Sequence, residues 1–259
     1  MNRSRNERPP GADELIIGRQ AVLEALRRGR LEKLYFTAGQ RGETMAQILQ
    51  LAGQRKVPLK EVPRAELNRL AAGGKHQGVV ARAPSFAYCT LGELLRQSGS
   101  STEGPFFIML DHLQDPQNLG SLLRTADAAG MDGMIIPQDR SVKITPAVRK
   151  VAAGAAERMA VARVVNLADA VEQLKENGFW IYGAEADGTL PYYRVDYRGP
   201  FVLAVGSEGQ GLSRLLRERC DGIISIPMRG AGGSLNAAVA AAVIIYAAAC
   251  QREGWESLT

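Results

Sequence analysis

From residue 106 onward the chain alternates short apolar runs with longer amphipathic stretches, a pattern that few folds accept. FFIMLDH (106–112), MIIP, VARVV, WIYGAE, FVLAVG (201–206) and GIISIP (222–227) are apolar almost throughout. A strand with one face in water would alternate apolar with polar residues, so these runs predict strands covered on both faces. Between them, NLGSLLRTADAAG (118–130), TPAVRKVAAGAAE, LADAVEQLKENG, a stretch from 212 to about 220 and a last one from about 235 read as helices. Strands and helices in this order predict an α/β architecture with a mostly parallel sheet. Ligands of such sheets sit outside the carboxyl ends of the strands.

A weaker and shorter version of the pattern comes first. Residues 33–37, 58–63 and 78–83 are strand-like; 43–56 and 64–72 have helical spacing, as does 19–28, which Gly29 would end. This predicts a small N-terminal α/β domain over 14–84, preceded by a loose tail at 1–13 that contains Pro-Pro-Gly. Residues 85–105 are rich in Ser, Gly and Pro and read as a linker with one helix-like patch at 91–96. The strong pattern then fills 106–259. No internal repeat is visible.

Charge separates the two parts. Residues 1–104 hold 17 basic and 10 acidic side chains, whereas 105–259 hold 15 and 17. A polyanion-binding surface is therefore expected in the N-terminal part. The longest apolar stretch, 237–250, is 14 residues long, too short to span a bilayer, and predicts a buried helix. The first residues lack the apolar segment of a secretory signal. Cys89, Cys220 and Cys250 are far apart and only His76 and His112 accompany them, so no zinc-ligand spacing exists and a reducing, cytoplasmic setting is expected.

Three polar loops follow three of the strong strands. They are Asp111-His-Leu-Gln-Asp-Pro-Gln-Asn118, leading to a helix that carries Arg124; Gly206-Ser-Glu-Gly-Gln-Gly211; and Pro227-Met-Arg-Gly-Ala-Gly-Gly-Ser-Leu-Asn236. Each has a plain structural reading. Asp115 or Asn118 can cap the helix, Arg124 can be a solvated side chain, the glycines can serve a turn, and Ser234 can be an N-cap. The second loop has the order GxxGxG after a late strand, so it is neither the dinucleotide fingerprint nor a phosphate-binding P-loop, and GxSxG is absent. Glycines at strand-end loops still let backbone approach a ligand closely.

Taken together, LDHLQDPQNLGSLLRTADAAG, LAVGSEGQGLS and ISIPMRGAGGSLN resemble, in order, the three motifs of the SpoU (TrmH-type) RNA ribose methyltransferases of the SPOUT class. IIGRQAVLEAL and HQGVVAR (76–82) resemble the small substrate-binding domain of the RlmB-type subgroup, which methylates guanosine 2′-O in 23S ribosomal RNA. The resemblance implies an L30e-like RNA-binding domain followed by an α/β-knot domain whose C-terminal segment forms a trefoil knot. It implies S-adenosyl-L-methionine as cofactor, with Gly206, Ile226 and Leu235 touching it and Met228 and Gly211 nearby. It also implies a homodimer, with 23S ribosomal RNA or the assembling large subunit as partner and no membrane. Transfer RNA, a ribosomal site conferring antibiotic resistance, and a non-catalytic RNA-binding or ribosome-assembly role are the alternatives.

Arg124 matches the arginine proposed in the family as general base, and Asn118, Glu208, Ser234 and Asn236 match further motif positions. A guanidinium is a poor base, with an ordinary pKa above roughly 12. Two roles are open for Arg124: losing its proton in a locally cationic site, or binding the adjoining phosphate while the hydroxyl proton leaves late. Two positions depart from the pattern, Ala238 in place of a second hydroxyl and Gln117 where close relatives carry His. In the N-terminal domain Arg64, Arg69, Lys75, His76 and Arg82 are the candidate RNA contacts. Aromatics there are few (Tyr35, Phe36, Phe86 and Tyr88), which predicts recognition of RNA shape and backbone rather than stacking.

Overall fold

The computed structural model describes residues 14–28, 31–39, 42–72, 74–83, 86–98, 103–230 and 235–253. The expected tail at 1–13, the helix end at Gly29 and the motif residue Ser234 lie outside them. The chain divides into two compact units, with the boundary between Ala87 and Tyr88.

The first unit comprises β1 (Glu14–Ile17), α1 (Arg19–Arg28), β2 (Lys33–Phe36), α2 (Glu43–Gln54), β3 (Leu59–Glu61), α3 (Arg64–Leu70) and β4 (Val79–Ala83). The sheet order is β1-β4-β2-β3; β4 runs antiparallel to both β1 and β2, and β3 runs parallel to β2. Side chains on a strand alternate between faces. Val79, Ala81 and Ala83 therefore join Val22 and Leu26 of α1 and Met45 and Ile48 of α2, while Val80 packs on the opposite face with Tyr35 and Leu67 of α3. β1 was not anticipated: ELII is four residues long and its partner β4 lies more than sixty positions away.

The second unit comprises α4 (Leu91–Gln97), β5 (Phe106–Leu110), α5 (Pro116–Ala128), β6 (Gly133–Pro137), α6 (Pro146–Ala152), β7 (Val161–Val164), α7 (Leu167–Glu176), β8 (Trp180–Ala184), β9 (Leu190–Pro191), β10 (Phe201–Val205), α8 (Arg214–Arg219), β11 (Gly222–Ser225) and α9 (Ala237–Arg252). Its seven strands lie in the order β7-β6-β5-β10-β8-β11-β9, every pair parallel. All five residues of each of β5, β6 and β10 are buried, as apolar runs without alternation require. Helices α4, α7 and α8 cover one face, and α5 packs with α6 and α9. Among the described residues no helix is long and apolar enough to cross a membrane.

Part of the expected linker is a structural element of this unit. Over 88–98 the Thr90 hydroxyl accepts a hydrogen bond from Glu93 N–H while the Glu93 carboxylate accepts one from Thr90 N–H, a capping box that starts α4. Leu91 and Leu94 are buried in the core, and Cys89 pairs with Ala162 beside β7. Burial of two leucines outweighs the local Ser/Gly composition. The chain builds β5, β6 and β7 outward, crosses to β8, and then inserts β10 between β5 and β8. This reversal makes the carboxyl ends of β5, β10 and β8 a topological switch point.

Candidate active site

Helix α5 begins at the switch point with Pro116 at its first position. Asp115 is its N-cap: the carboxylate accepts from Gln117 N–H and Asn118 N–H, both at 3.1 Å. The capping role thus belongs to Asp115, and the buried Asn118 amide is left for other work. Its Nδ2 donates to Glu208 Oε2 at 3.4 Å, and its Oδ1 accepts from Asn236 Nδ2 at 3.1 Å. One residue from each of the three motif loops therefore meets in a single hydrogen-bonded chain. Asn236 also caps α9, its Oδ1 accepting from Ala238 and Val239 N–H. This corrects the expectation that Ser234 is the cap and that the last helix starts near Leu235: Asn236 satisfies the orphan amides with its oxygen while its nitrogen holds Asn118.

The loop after β10 folds back on itself, with Ser207 N–H donating to the Gly211 carbonyl and Gly211 N–H to the Ser207 carbonyl. A Cβ on Gly206 would overlap the Gly211 carbonyl and the Leu212 nitrogen, so this closure needs glycine there. Gly211 has φ +68° and faces the Glu185 carboxylate. Two carboxylates grip the loop's exit. Leu212 N–H donates to Glu185 Oε1 at 2.7 Å, and the next amide, Ser213 N–H, donates to Asp111 Oδ2 at 2.6 Å. Glu185 follows β8 and Asp111 follows β5, the two neighbours of β10. Asp111 is buried, and its other oxygen is hydrogen-bonded by His112 Nδ1. Glu185 is also paired with Arg217 of α8, whose guanidinium makes two further 3.0 Å bonds to Asp187.

Beside these loops lies a cavity of about 570 Å³. Gly206, Gly211, Ile226, Met228 and Leu235, the five expected cofactor contacts, all line it. Ala240 and Ile244 of α9 supply apolar wall, and Glu185, Asp187 and Arg217 supply polar wall. Its size suits a small organic ligand held by a few polar groups against an apolar surface. Glu208 borders it, joining the Asn118–Asn236 chain to the cavity.

Arg124 is not part of the lining. It is exposed on α5 and makes no hydrogen bond or ion pair among the described residues. In the N-terminal unit Arg64, Arg69 and Lys75 are exposed, and Arg82 is half-buried on β4. His76 is 6% exposed; its Nδ1 accepts from Gly78 N–H at 3.1 Å and its Nε2 bonds Asn68 Oδ1 at 2.9 Å. Both ring nitrogens are used to fix the loop before β4.

Sequence reasoning assigns no role to Asp111, Glu185, Asp187 or Arg217. An acidic residue directly after an apolar strand, repeated at 111 and 185, was the available signal.

Two family patterns match the chain. Residues 105–246 match the SpoU rRNA methylase family, and residues 15–89 match the RNA 2′-O ribose methyltransferase substrate-binding domain. YacO of Bacillus subtilis (strain 168), assigned to the TrmH family of tRNA/rRNA methyltransferases, is 41% identical over 90% of this chain and 94% of its own length. The AdoMet-bound rRNA methyltransferase of Sinorhizobium meliloti superposes with a TM-score of 0.65 at 26% identity, covering 91% of this chain and 86% of that one. The SpoU methyltransferase AviRb of Streptomyces viridochromogenes gives 0.66 at 25% identity, covering 94% and 91%. The chain belongs to the SpoU/TrmH family of RNA methyltransferases.

Proposed function

We propose that the protein uses S-adenosylmethionine to methylate the ribose 2′-oxygen of a guanosine in 23S ribosomal RNA. The carrying observation is the cavity at the switch point, walled by Gly206, Gly211, Ile226, Met228 and Leu235 and joined through Glu208 to Asn118 and Asn236. Family membership and the substrate-binding domain over 15–89 support an RNA substrate. The match of IIGRQAVLEAL and HQGVVAR to the 23S guanosine subgroup supports the finer target.

S-adenosylmethionine, when bound, supplies a methyl group on a sulfonium. Backbone of the 206–211 loop would hold its polar groups, and Ile226, Leu235 and Met228, which line the cavity, would cover its apolar surface. Direct displacement needs oxygen, methyl carbon and sulfur in line, so the protein's contribution is alignment and removal of the hydroxyl proton. Asn118, fixed from both sides by Glu208 and Asn236, orients the ribose. Arg124, exposed and without a partner among the described residues, binds the phosphate next to the target ribose, and the 2′-OH proton leaves late to solvent. A guanidinium serves better as a phosphate ligand than as a base. Ser234, in the third motif, lies outside the described residues.

The same reading includes a homodimer, the trefoil knot, and a cytoplasmic setting. Val239 and Tyr246 are 51% and 42% exposed on α9, whose residues 237–250 include no charged side chain, which supports a second copy packing there.

The test is nucleoside analysis of protein-free 23S ribosomal RNA after incubation with protein and cofactor. The expected product is 2′-O-methylguanosine at one site. A different methylated nucleoside, or methylation confined to transfer RNA, overturns the guanosine target. Cofactor binding with no methylation of either RNA favours the non-catalytic reading.

A further inference from the structure

A second recess, of about 480 Å³, lies in the N-terminal unit. Thr37 at the end of β2, Arg19 and Thr44 in the first turns of α1 and α2, Arg64 at the start of α3, and His76 and Gln77 before β4 line it. Its composition decides what it can hold. Among the described residues no Asp or Glu and no apolar side chain lines it, so cations and apolar ligands are disfavoured. Two guanidiniums with hydroxyl and amide donors suit an anion rich in acceptor oxygens.

The recess is also pre-organised. Gln77 sits at φ +50°, an uncommon backbone conformation for a residue with a side chain. From that position its carbonyl accepts from Arg19 Nε at 2.9 Å, and its side-chain oxygen accepts from Arg19 N–H at 3.2 Å. The next wall is fixed by His76, whose two ring bonds to Gly78 and Asn68 hold the loop. Arg64, by contrast, is exposed and has no ion-pair partner among the described residues. One arginine is thus held in place and the other is available to close on a ligand.

We propose that this recess binds one phosphodiester of the RNA substrate, with Arg19 and Arg64 on the phosphate oxygens and Thr44 and Gln77 on the adjoining sugar or base edge. The proposal rests on the reading of the protein as an RNA methyltransferase and adds a defined subsite to it. It also replaces His76 as a direct contact: His76 holds the loop that carries Gln77.

The test uses the full chain and protein-free 23S ribosomal RNA, with binding measured across a salt series. Arg64→Ala removes one phosphate ligand from an exposed position. Thr44→Glu places a negative charge in the recess at the second position of α2, where an acidic residue favours the helix, so folding is retained. Arg64→Ala is expected to lower the slope of log K against log salt by about 0.7–0.9, the share of one phosphate. Thr44→Glu is expected to weaken binding by on the order of tenfold or more through like-charge repulsion, whereas Thr44→Gln stays close to wild type. Calorimetric binding of S-adenosylmethionine is expected to be unchanged in all three. Wild-type affinity and slope in both Arg64→Ala and Thr44→Glu would overturn the subsite and leave the RNA reading standing. Absence of RNA binding by the wild-type protein would overturn both.

Discussion

In the C-terminal unit the cavity walls are largely main chain and apolar side chains, and carboxylates from neighbouring strands hold the loops in place. In the N-terminal unit the recess is walled mainly by polar side chains, and one arginine on its rim, Arg64, is exposed. The two differ in what they tolerate. A wall of main chain fails when the backbone shifts, so its weak points are glycines and the groups that grip the loop. A wall of side chains fails one contact at a time, and the loss is read in affinity and salt dependence.

The largest effect expected on cofactor binding is at Gly206. Gly206→Ala pushes a methyl group into the Gly211 carbonyl and opens the loop. Cofactor affinity is expected to fall by roughly tenfold to a hundredfold, from an overpacking cost of about 1–3 kcal/mol. Calorimetry reads this directly, and unchanged affinity would show that the loop does not form the cofactor wall.

Asp111 comes next. Asp111→Ala leaves Ser213 N–H and His112 without their buried acceptor and is expected to cost about 1–2 kcal/mol of stability. Asp111→Asn keeps an oxygen for Ser213 and is expected to restore more than half of that loss. Denaturant unfolding of the pair separates a hydrogen-bonding role from simple space filling, which would make the two variants equal.

The smallest effect concerns a cysteine beneath the site. Burial pushes the Cys220 thiol up to about 12, with Asp221 adding to the shift, so at pH 8 it stays protonated. Thiolate is the reactive form. Cys220 is therefore expected to react with a disulfide reagent far more slowly than an unshifted thiol and to speed up only on unfolding. Rapid labelling of Cys220 in the folded protein would show that α8 and the loop before it open readily.

The comparison also explains what the sequence made legible. Asn118, Glu208 and Asn236 could be read because they stand in the three stretches that resemble the family's motifs. The grip of Asp111 and Glu185 on consecutive amides could not, because it depends on β10 lying between β5 and β8, a neighbourhood that exists only once the strands are ordered. The same limit hid β1, whose four residues gain meaning only from β4. The helix-like patch at 91–96 is α4, and the capping-box spacing of Thr90 and Glu93 marks its start. His76 carries a structural task that the sequence does not show: its ring joins Asn68 and Gly78.

Transfer of a labelled methyl group from S-adenosylmethionine to protein-free 23S ribosomal RNA, with wild-type protein and Arg124→Ala side by side, tests the central claim most directly. Arg124 lines no wall of the cavity, so the variant is expected to fold and to bind cofactor as wild type while losing methyl transfer by on the order of a thousandfold. Label that persists at the wild-type rate in Arg124→Ala would contradict the account.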